Sequence, residues 1–225
     1  MKKASEYTYA FQPIVDMTDE SVFSYEALRR KRVGDHPAAR CYENFPQQAL
    51  SLASELGIST YLNINISPAS LEDSKKFTEE TLKHIIGHNI AAQKLVIEIT
   101  ETEAVKDNER FRILVDDFRA RGIKIAIDDF GAGYSGLNLL ANFQPDMVKL
   151  DMGLVRNIQS HGPRQSIVRA IHQVCFELGI DLIAEGVETL DEYRWLRDSE
   201  IELHQGYLFA KPATESLPEI YFPKK

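Results

Sequence analysis

Eight short apolar or alternating runs recur along this chain, and segments with helical periodicity separate most of them. The runs lie at about 8–14, 21–26, 60–66, 94–99, 123–128, 147–150, 181–185 and 202–208. Strands that alternate with helices form parallel α/β sheets, and eight of them predict a closed TIM-type (β/α)8 barrel. An open doubly wound sheet is the competing architecture.

Only DMTDE separates the first two runs. Because this is too short for a crossover helix, we predict a modified barrel with one antiparallel strand near the N-terminus.

Three helix-like segments end in glycine followed by isoleucine, at Gly57, Gly122 and Gly179. Glycine just past a helix end permits the left-handed turn that stops the helix, and the isoleucine opens the next strand. The helical period is clearest between residues 163 and 179. Its apolar residues are Ile167, Ile171, Val174 and Leu178. We expect this face to pack against the core.

Length and composition favour one globular domain spanning residues 1–225. The hydrophobic fraction is 44%, and no Pro/Ser-rich linker interrupts the chain. A net charge of -8 argues against binding duplex nucleic acid through a basic face. No segment resembles a signal peptide or reaches spanning length, so we expect a cytoplasmic protein without membrane insertion. The cysteines Cys41 and Cys175 are far apart, and we interpret both as packing residues.

Hard oxygen donors fall where the parallel strands should end. They are Glu26, Asn65, Glu98, Asp128, Asp129 and Glu185. The carboxyl ends of barrel strands meet at one face, so these side chains should share one pocket. The absence of thiolate and imidazole favours Mg²⁺ or Mn²⁺ over zinc or copper. Mutual repulsion among five carboxylates indicates two divalent ions, with Asp128 as the natural bridge.

Two neighbouring divalent ions activate water and stabilise an in-line displacement at phosphorus, which predicts phosphodiester hydrolysis. Lys149 ends the sixth run. It is suited to orient the water or to stabilise phosphoryl charge. A buried ion pair with Asp151 or with a barrel carboxylate is the alternative, and the sequence leaves both open. Glu185 is also suited to accept a proton from the water.

Other features have less specific interpretations. Glu101 and Glu188 each follow a proposed ligand by three residues. They fit helix N-terminal acids, and we interpret them as supports of the site. The Gly-rich stretch DDFGAGYSGL lacks the P-loop order, and we interpret it as a loop that covers or adjusts the metal site. His84 and His88 have zinc-like spacing without a third ligand nearby, so we expect surface residues.

Eight short motifs occur together in this chain: YAFQPIVD, YEALRR, NINISP, EITE, DDFGAGYSGL, VKLD, AEGVE and QGYLFAKP. In this order, from about Tyr7 to Pro212, they resemble the EAL-type cyclic di-GMP phosphodiesterase domain, with a core of about 7–213. The resemblance implies a modified barrel that hydrolyses cyclic di-GMP to linear pGpG with two Mg²⁺ or Mn²⁺ ions.

The resemblance also implies roles for individual residues. The implied metal ligands are Glu26, Asn65, Glu98, Asp128, Asp129 and Glu185. The implied catalytic lysine is Lys149, with Glu188 beside the second metal and Glu101 anchoring the loop, and they join Glu185, whose catalytic role was argued above from its chemistry. The implied substrate contacts are Gln12, Leu28 and Arg30, with Gln205 near the same pocket.

Two other functions compete with hydrolysis. The first is a non-catalytic cyclic di-GMP receptor or protein-interaction module on the same barrel. The second is a barrel lyase with one Mg²⁺ and a lysine base, which leaves Asn65 and the paired Asp128–Asp129 unexplained. We favour the hydrolase because every acid of the implied metal set is present. The stretch between Glu26 and Asn65 is shorter than is usual in the family, which bears on the guanine side of the pocket. Family members commonly pair, so we also expect a homodimer.

Overall fold

A computed structural model describes residues 7–31, 47–66, 90–101, 108–133 and 136–224, together with residues 79, 83, 85 and 87. Within these residues, eight strands form a closed barrel, and a short ninth strand lies outside the ring. The predicted modified (β/α)8 barrel is therefore confirmed, and the open doubly wound sheet is wrong.

The strands follow the predicted apolar runs. They are β1 (Tyr7–Asp16), β2 (Ser21–Lys31), β3 (Tyr61–Asn65), β4 (Leu95–Thr100), β5 (Lys124–Phe130), β6 (Met147–Leu150), β7 (Asp181–Ala184), β8 (Leu203–His204) and β9 (Ala213–Thr214). Strand β2 continues past Glu26 because it pairs with β1 from end to end. Strand β8 is only two residues long, which is shorter than the predicted run.

Strand β1 is the antiparallel member of the ring. It pairs antiparallel with β2 on one side and with β8 on the other, whereas the pairs from β2–β3 to β7–β8 are parallel. The turn between β1 and β2 is closed by Asp16, whose Oδ1 accepts a hydrogen bond from the Thr18 amide at 2.8 Å. Strand β9 adds to β1 at Ala10 and Phe11.

The described helices lie between the strands and cover the outside of the barrel. They are α1 (Gln47–Glu55), α2 (Asn108–Arg119), α3 (Gly136–Phe143), α4 (Met152–Val155), α5 (Gly162–Leu178) and α6 (Leu190–Asp198), with 3-10 turns at Ala92–Lys94 and Ile158–Ser160. The predicted helix stops are confirmed, because Gly57, Gly122 and Gly179 have φ angles of 69°, 78° and 69°. In the described part of the chain, none of the helices has the length and hydropathy needed to cross a membrane.

The predicted apolar face of α5 is only partly buried. Val168, Ile171 and Cys175 face the core, but Ile167 and Leu178 are 49% and 39% exposed. The prediction was wrong at these two positions because α5 carries two overlapping apolar stripes, and periodicity alone does not select between them. Burial raises the pKa of the Cys175 thiol to about 12, so Cys175 packs as a neutral side chain.

A small apolar cluster fills the barrel interior below the carboxyl ends of the strands. Its buried members are Ile14, Val96, Ala126, Met147, Ile183 and Leu203. Alternate residues of a strand face the same side. The residues two positions beyond the last five of these are Glu98, Asp128, Lys149, Glu185 and Gln205. The cluster therefore forms an apolar floor beneath a polar layer.

The segment after β7 is fixed by a buried carboxylate at the start of α6. Glu192 accepts hydrogen bonds from the amides of Asn157, Glu188 and Thr189 at 2.8 to 3.0 Å. The Thr189 hydroxyl oxygen in turn accepts a hydrogen bond from the Glu192 amide, which completes a capping box. Burial alone would raise the pKa of Glu192, but these hydrogen bonds lower it.

Replacing Glu192 with alanine is expected to lower the free energy of unfolding by at least ~2 kcal/mol, because three amides lose their acceptor. The matched control is Asp191→Ala, one residue earlier, whose exposed carboxylate pairs with Arg194 at 3.2 Å. The control should change stability by less than ~1 kcal/mol. Urea denaturation of both variants measures the difference, and equal losses would contradict the assigned role of Glu192.

Candidate metal and catalytic site

The carboxyl ends of the strands bring four acids around one ammonium group. Lys149 Nζ lies 2.7 Å from Glu185, 2.9 Å from Glu98, 3.2 Å from Asp128 and 3.3 Å from Glu26. The Lys149 side chain is 1% exposed. Of the two ion pairs considered for this lysine, the structure shows the one with the barrel carboxylates. Asp151 instead caps α4, accepting the Gly153 amide at 2.8 Å.

Burial and mutual repulsion shift the pKa values of these acids. Burial raises the pKa of Glu185 to about 8, and burial together with neighbouring acids raises those of Glu98 and Asp128. Burial opposes ionisation of Glu26 too, but Lys149 and the donors Gln205 and Asn65 lower its pKa overall. Without another cation, the acid group therefore retains protons at neutral pH.

Lys149 remains charged in this setting. Burial by itself would lower the pKa of the ammonium, but the four surrounding carboxylates raise it well above the ordinary 10.5. Lys149 supplies one positive charge to four carboxylates, so the ionised group would carry an excess of negative charge. Such a set of hard oxygen donors fits divalent cations.

A bulge in β5 directs two adjacent acids to the same place. Consecutive strand residues normally face opposite sides of a sheet. The pairing of β5 with β6 shifts register between Ile127 and Phe130, and Asp129 has a left-handed φ of 55°. As a result, one carboxylate oxygen each from Asp128, Asp129 and Glu185 lie within 4.8 Å of one another. Bulges of this kind re-aim side chains next to active sites.

Strand β3 supplies two amides to this layer, one to each neighbouring strand. Asn65 Nδ2 donates to Glu26 Oε1 on β2 at 2.7 Å. Asn63 Nδ2 donates to Glu98 Oε1 on β4, also at 2.7 Å. The sequence analysis identified Asn65 but missed Asn63. The available signal was an amide at an inward-facing position of the run YLNIN.

Two buried glutamines lie on the other side of Glu26, and one of them contacts it directly. Gln205 Nε2 donates to Glu26 Oε2 at 2.7 Å and lies 3.3 Å from Gln12 Oε1. Gln12 Nε2 in turn donates to the carbonyl oxygen of Ala210 at 3.1 Å. The two glutamines thus connect Glu26 to the segment after β8. Their roles as substrate contacts stay predictions.

The other two predicted substrate contacts continue along β2. Leu28 and Arg30 alternate with Glu26, so they lie on the same face of the strand and are partly exposed. The recorded hydrogen bond of the Arg30 guanidinium goes to the carbonyl oxygen of Arg29 at 3.0 Å. Leu28 and Arg30 are therefore placed where they could contact a ligand bound above the acids.

Glu101 holds the start of the Gly-rich loop. Its Oε2 accepts the amides of Gly131 at 3.0 Å and Gly133 at 3.3 Å. A Cβ atom at position 133 would lie 2.7 Å from Glu101 Oε1, so a larger residue there would displace the Glu101 carboxylate. The geometry fits the predicted anchoring role.

Glu188 lies in a different environment from the buried acids. Its side chain is 42% exposed and forms a 2.7 Å ion pair with Arg156. Its predicted place beside a second metal stays a prediction. Several predictions fall outside the described residues. They concern residues 32–46 of the stretch between Glu26 and Asn65, which include Cys41, and also His84, His88 and positions 134–135 of the Gly-rich loop.

The chain belongs to the EAL domain family, whose family model matches residues 1–212. The predicted family resemblance is therefore confirmed. Among curated relatives, the blue light- and temperature-regulated antirepressor BluF of Escherichia coli K12 is 34% identical over 96% of this chain and 57% of its own length. The cyclic di-GMP phosphodiesterase PdeR of the same organism is 37% identical over 75% of this chain and 25% of its own length.

Solved structures agree in fold. Klebsiella pneumoniae BlrP1 in complex with manganese and cyclic di-GMP is 38% identical, with a TM-score of 0.91 over 97% of this chain and 59% of its own. A standalone EAL protein from Vibrio cholerae O395, bound to cyclic di-GMP, is 39% identical, with a TM-score of 0.86 over 96% of this chain and 95% of its own. The chain therefore spans only part of the two curated relatives above, 57% of the length of BluF and 25% of the length of PdeR.

Proposed function

We propose that this chain hydrolyses cyclic di-GMP to linear pGpG with the help of two divalent cations, Mg²⁺ or Mn²⁺. The observation that carries the proposal is the convergence of four carboxylates on Lys149, three of them buried and that of Glu185 partly buried, with Asp129 brought to the same place by the β5 bulge. The manganese and cyclic di-GMP held by BlrP1 support this choice of cation and substrate.

The residues present fit a pair of hard cations. One buried oxygen of the set, Glu98 Oε2, has no hydrogen-bond partner among the described residues. The groups that would hold the ions are Glu26, Asn65, Glu98, Asp128, Asp129 and Glu185. The ions, when bound, would lower the pKa of a coordinated water and stabilise charge on the phosphoryl oxygens.

The remaining residues prepare the site. Lys149 stays protonated and keeps the four carboxylates together, and its charge is available to a phosphoryl oxygen. Glu185 is suited to take a proton from the attacking water once bound cations have replaced its own proton. Glu101 fixes the loop that follows Asp128 and Asp129. Gln12, Leu28, Arg30 and Gln205 would contact the dinucleotide, and Glu188 would support the second ion.

The direct test is incubation of the protein with cyclic di-GMP in the presence of Mg²⁺, Mn²⁺ or EDTA, followed by chromatography for pGpG. We expect pGpG with either metal and none with EDTA, and Glu26→Ala serves as the inactive control. Binding of cyclic di-GMP without pGpG under any divalent metal would contradict hydrolysis.

That negative outcome would favour a second function. BluF is named an antirepressor rather than a phosphodiesterase, so a non-catalytic regulatory module on the same fold is a specific alternative. The set of acids in this chain favours the hydrolase. A homodimer remains a further prediction for this chain.

A further inference from the structure

Asn63 is a buried residue whose side-chain amide donates one hydrogen bond within the described residues. The acceptor is Glu98, one of the acids of the site. Asn63 lies on β3 and is fully buried, as is Glu98 on β4. Asn63 Nδ2 lies 2.7 Å from Glu98 Oε1. A hydrogen bond this short between two fully buried groups restrains the orientation of the Glu98 carboxyl.

The two oxygens of Glu98 have different surroundings. Oε1 receives Asn63 at 2.7 Å and Lys149 Nζ at 2.9 Å. Oε2 is buried and has no hydrogen-bond partner in the described part of the chain. A buried carboxylate oxygen without a partner is unfavourable. With both donors on Oε1, the oxygen left for a cation is Oε2.

The two asparagines of β3 differ in how they can act. Asn65 ends the strand and is exposed, so its amide oxygen is accessible to a cation. Asn63 lies one layer deeper, beside Val96 of the apolar floor. Its amide donates to Glu98, and its Oδ1 is buried without a hydrogen-bond partner among the described residues.

We propose that Asn63 is a positioning residue for the divalent-cation site, which holds Glu98 so that Oε1 stays with Lys149 and Oε2 faces the ion. This inference rests on the proposed function only in that the acid group binds a divalent cation. Residues that orient metal ligands typically change metal affinity by 10- to 100-fold when they are replaced.

The test is direct Mn²⁺ binding without substrate, measured from the EPR signal of free Mn²⁺. Asn63→Leu keeps a similar volume and removes the donor. We expect it to weaken the Mn²⁺ Kd by roughly 10- to 100-fold. The matched control is Ser24→Ala on the adjacent β2. Ser24 is equally buried and shares the face of Glu26, and its hydroxyl has no hydrogen-bond partner among the described residues. This control should leave the Kd unchanged.

A purely packing role predicts a different result. Asn63→Leu would then lower the free energy of unfolding in EDTA while the Mn²⁺ Kd stays at the wild-type value, and this outcome overturns the inference. If the leucine variant does not fold, Asn63→Thr replaces it, because a threonine hydroxyl is too short to reach Glu98 in the same way. A wild-type Kd in the folded threonine variant would also overturn the inference. A wild-type protein that binds no Mn²⁺ would overturn the proposed function together with this inference.

Discussion

Replacing Lys149 with methionine is expected to reduce cyclic di-GMP turnover at least ~100-fold and to lower the metal-free free energy of unfolding by about 3–5 kcal/mol. Methionine has a similar length, so the loss does not come from a cavity. It comes from four carboxylates within 3.3 Å of the ammonium that lose their shared cation.

The stability loss in Lys149→Met should depend on pH. Without the ammonium, the acids relieve their repulsion by taking up protons, and burial already raises the pKa of Glu185 to about 8 in the wild type. The loss should therefore be largest above pH 8 and should shrink as the pH falls toward 5.5. Mn²⁺ should also restore part of the stability, because it neutralises the same carboxylates.

Urea denaturation in EDTA at pH 8.5 and pH 5.5, repeated with Mn²⁺, measures these effects. The matched control is Lys124→Met, which removes a lysine of β5 whose Nζ lies 4.9 Å from the Tyr61 ring and whose charge acts to lower the pKa of Asp181, which is not one of the acids around Lys149. The control should change stability by less than ~1 kcal/mol. An equal loss for Lys149→Met at both pH values would assign the effect to packing.

The barrel was predictable because its strands and helix stops are local in sequence. Apolar runs, the short DMTDE connection and the glycines at Gly57, Gly122 and Gly179 each encode a feature within a few residues. The grouping of the acids was also predictable. Parallel strands place their carboxyl ends at one face, so residues far apart in sequence, such as Glu98 and Glu185, were expected together before any contact was known.

Other features depend on contacts between elements and were missed. The sequence shows Asn63 as an amide at an inward-facing strand position, but its partner Glu98 becomes evident only when β4 pairs beside β3. The β5 bulge depends on pairing with β6, so the sequence placed Asp128 and Asp129 in one pocket without showing how two adjacent strand residues reach the same place. The exposed Ile167 of α5 shows the same limit, because tertiary packing selects the buried stripe.

Glu185→Gln should have the opposite effect on stability from Lys149→Met, although both remove one partner of the same 2.7 Å ion pair. In EDTA at pH 8, we expect Glu185→Gln to raise the free energy of unfolding by ~1–4 kcal/mol. The reason is that Glu185 is one of several acids competing for a single ammonium. Glutamine keeps the shape and an acceptor oxygen for Lys149, and it removes one buried negative charge.

The sign follows from the two pKa values. In the unfolded chain the Glu185 carboxyl ionises near its ordinary 4.5, whereas in the folded protein its pKa is about 8. Between these values the folded state holds a proton that the unfolded state releases, so the wild type loses stability as the pH rises through this window. Each pH unit contributes up to ~1.4 kcal/mol. The glutamine does not titrate, so the advantage of Glu185→Gln should be absent near pH 4.5 and largest at pH 8 and above.

Mn²⁺ should reverse the order of stability. The wild type gains about 4.1 kcal/mol at a metal concentration 1,000 times its Kd. Glu185→Gln should gain little, because it lacks one oxygen ligand of the Asp128–Asp129–Glu185 group. Its turnover should fall at least ~100-fold.

Chemical denaturation with EDTA or Mn²⁺ at pH 4.5, 6 and 8 measures the effects of pH and of metal on stability. The control Glu177→Gln changes an exposed carboxylate on α5 that accepts Gln173 at 2.8 Å, and it should follow the wild type throughout. If Glu185→Gln were less stable than the wild type in EDTA at pH 8, the ion pair with Lys149 would outweigh the repulsion among the acids, and the raised pKa of Glu185 would be wrong.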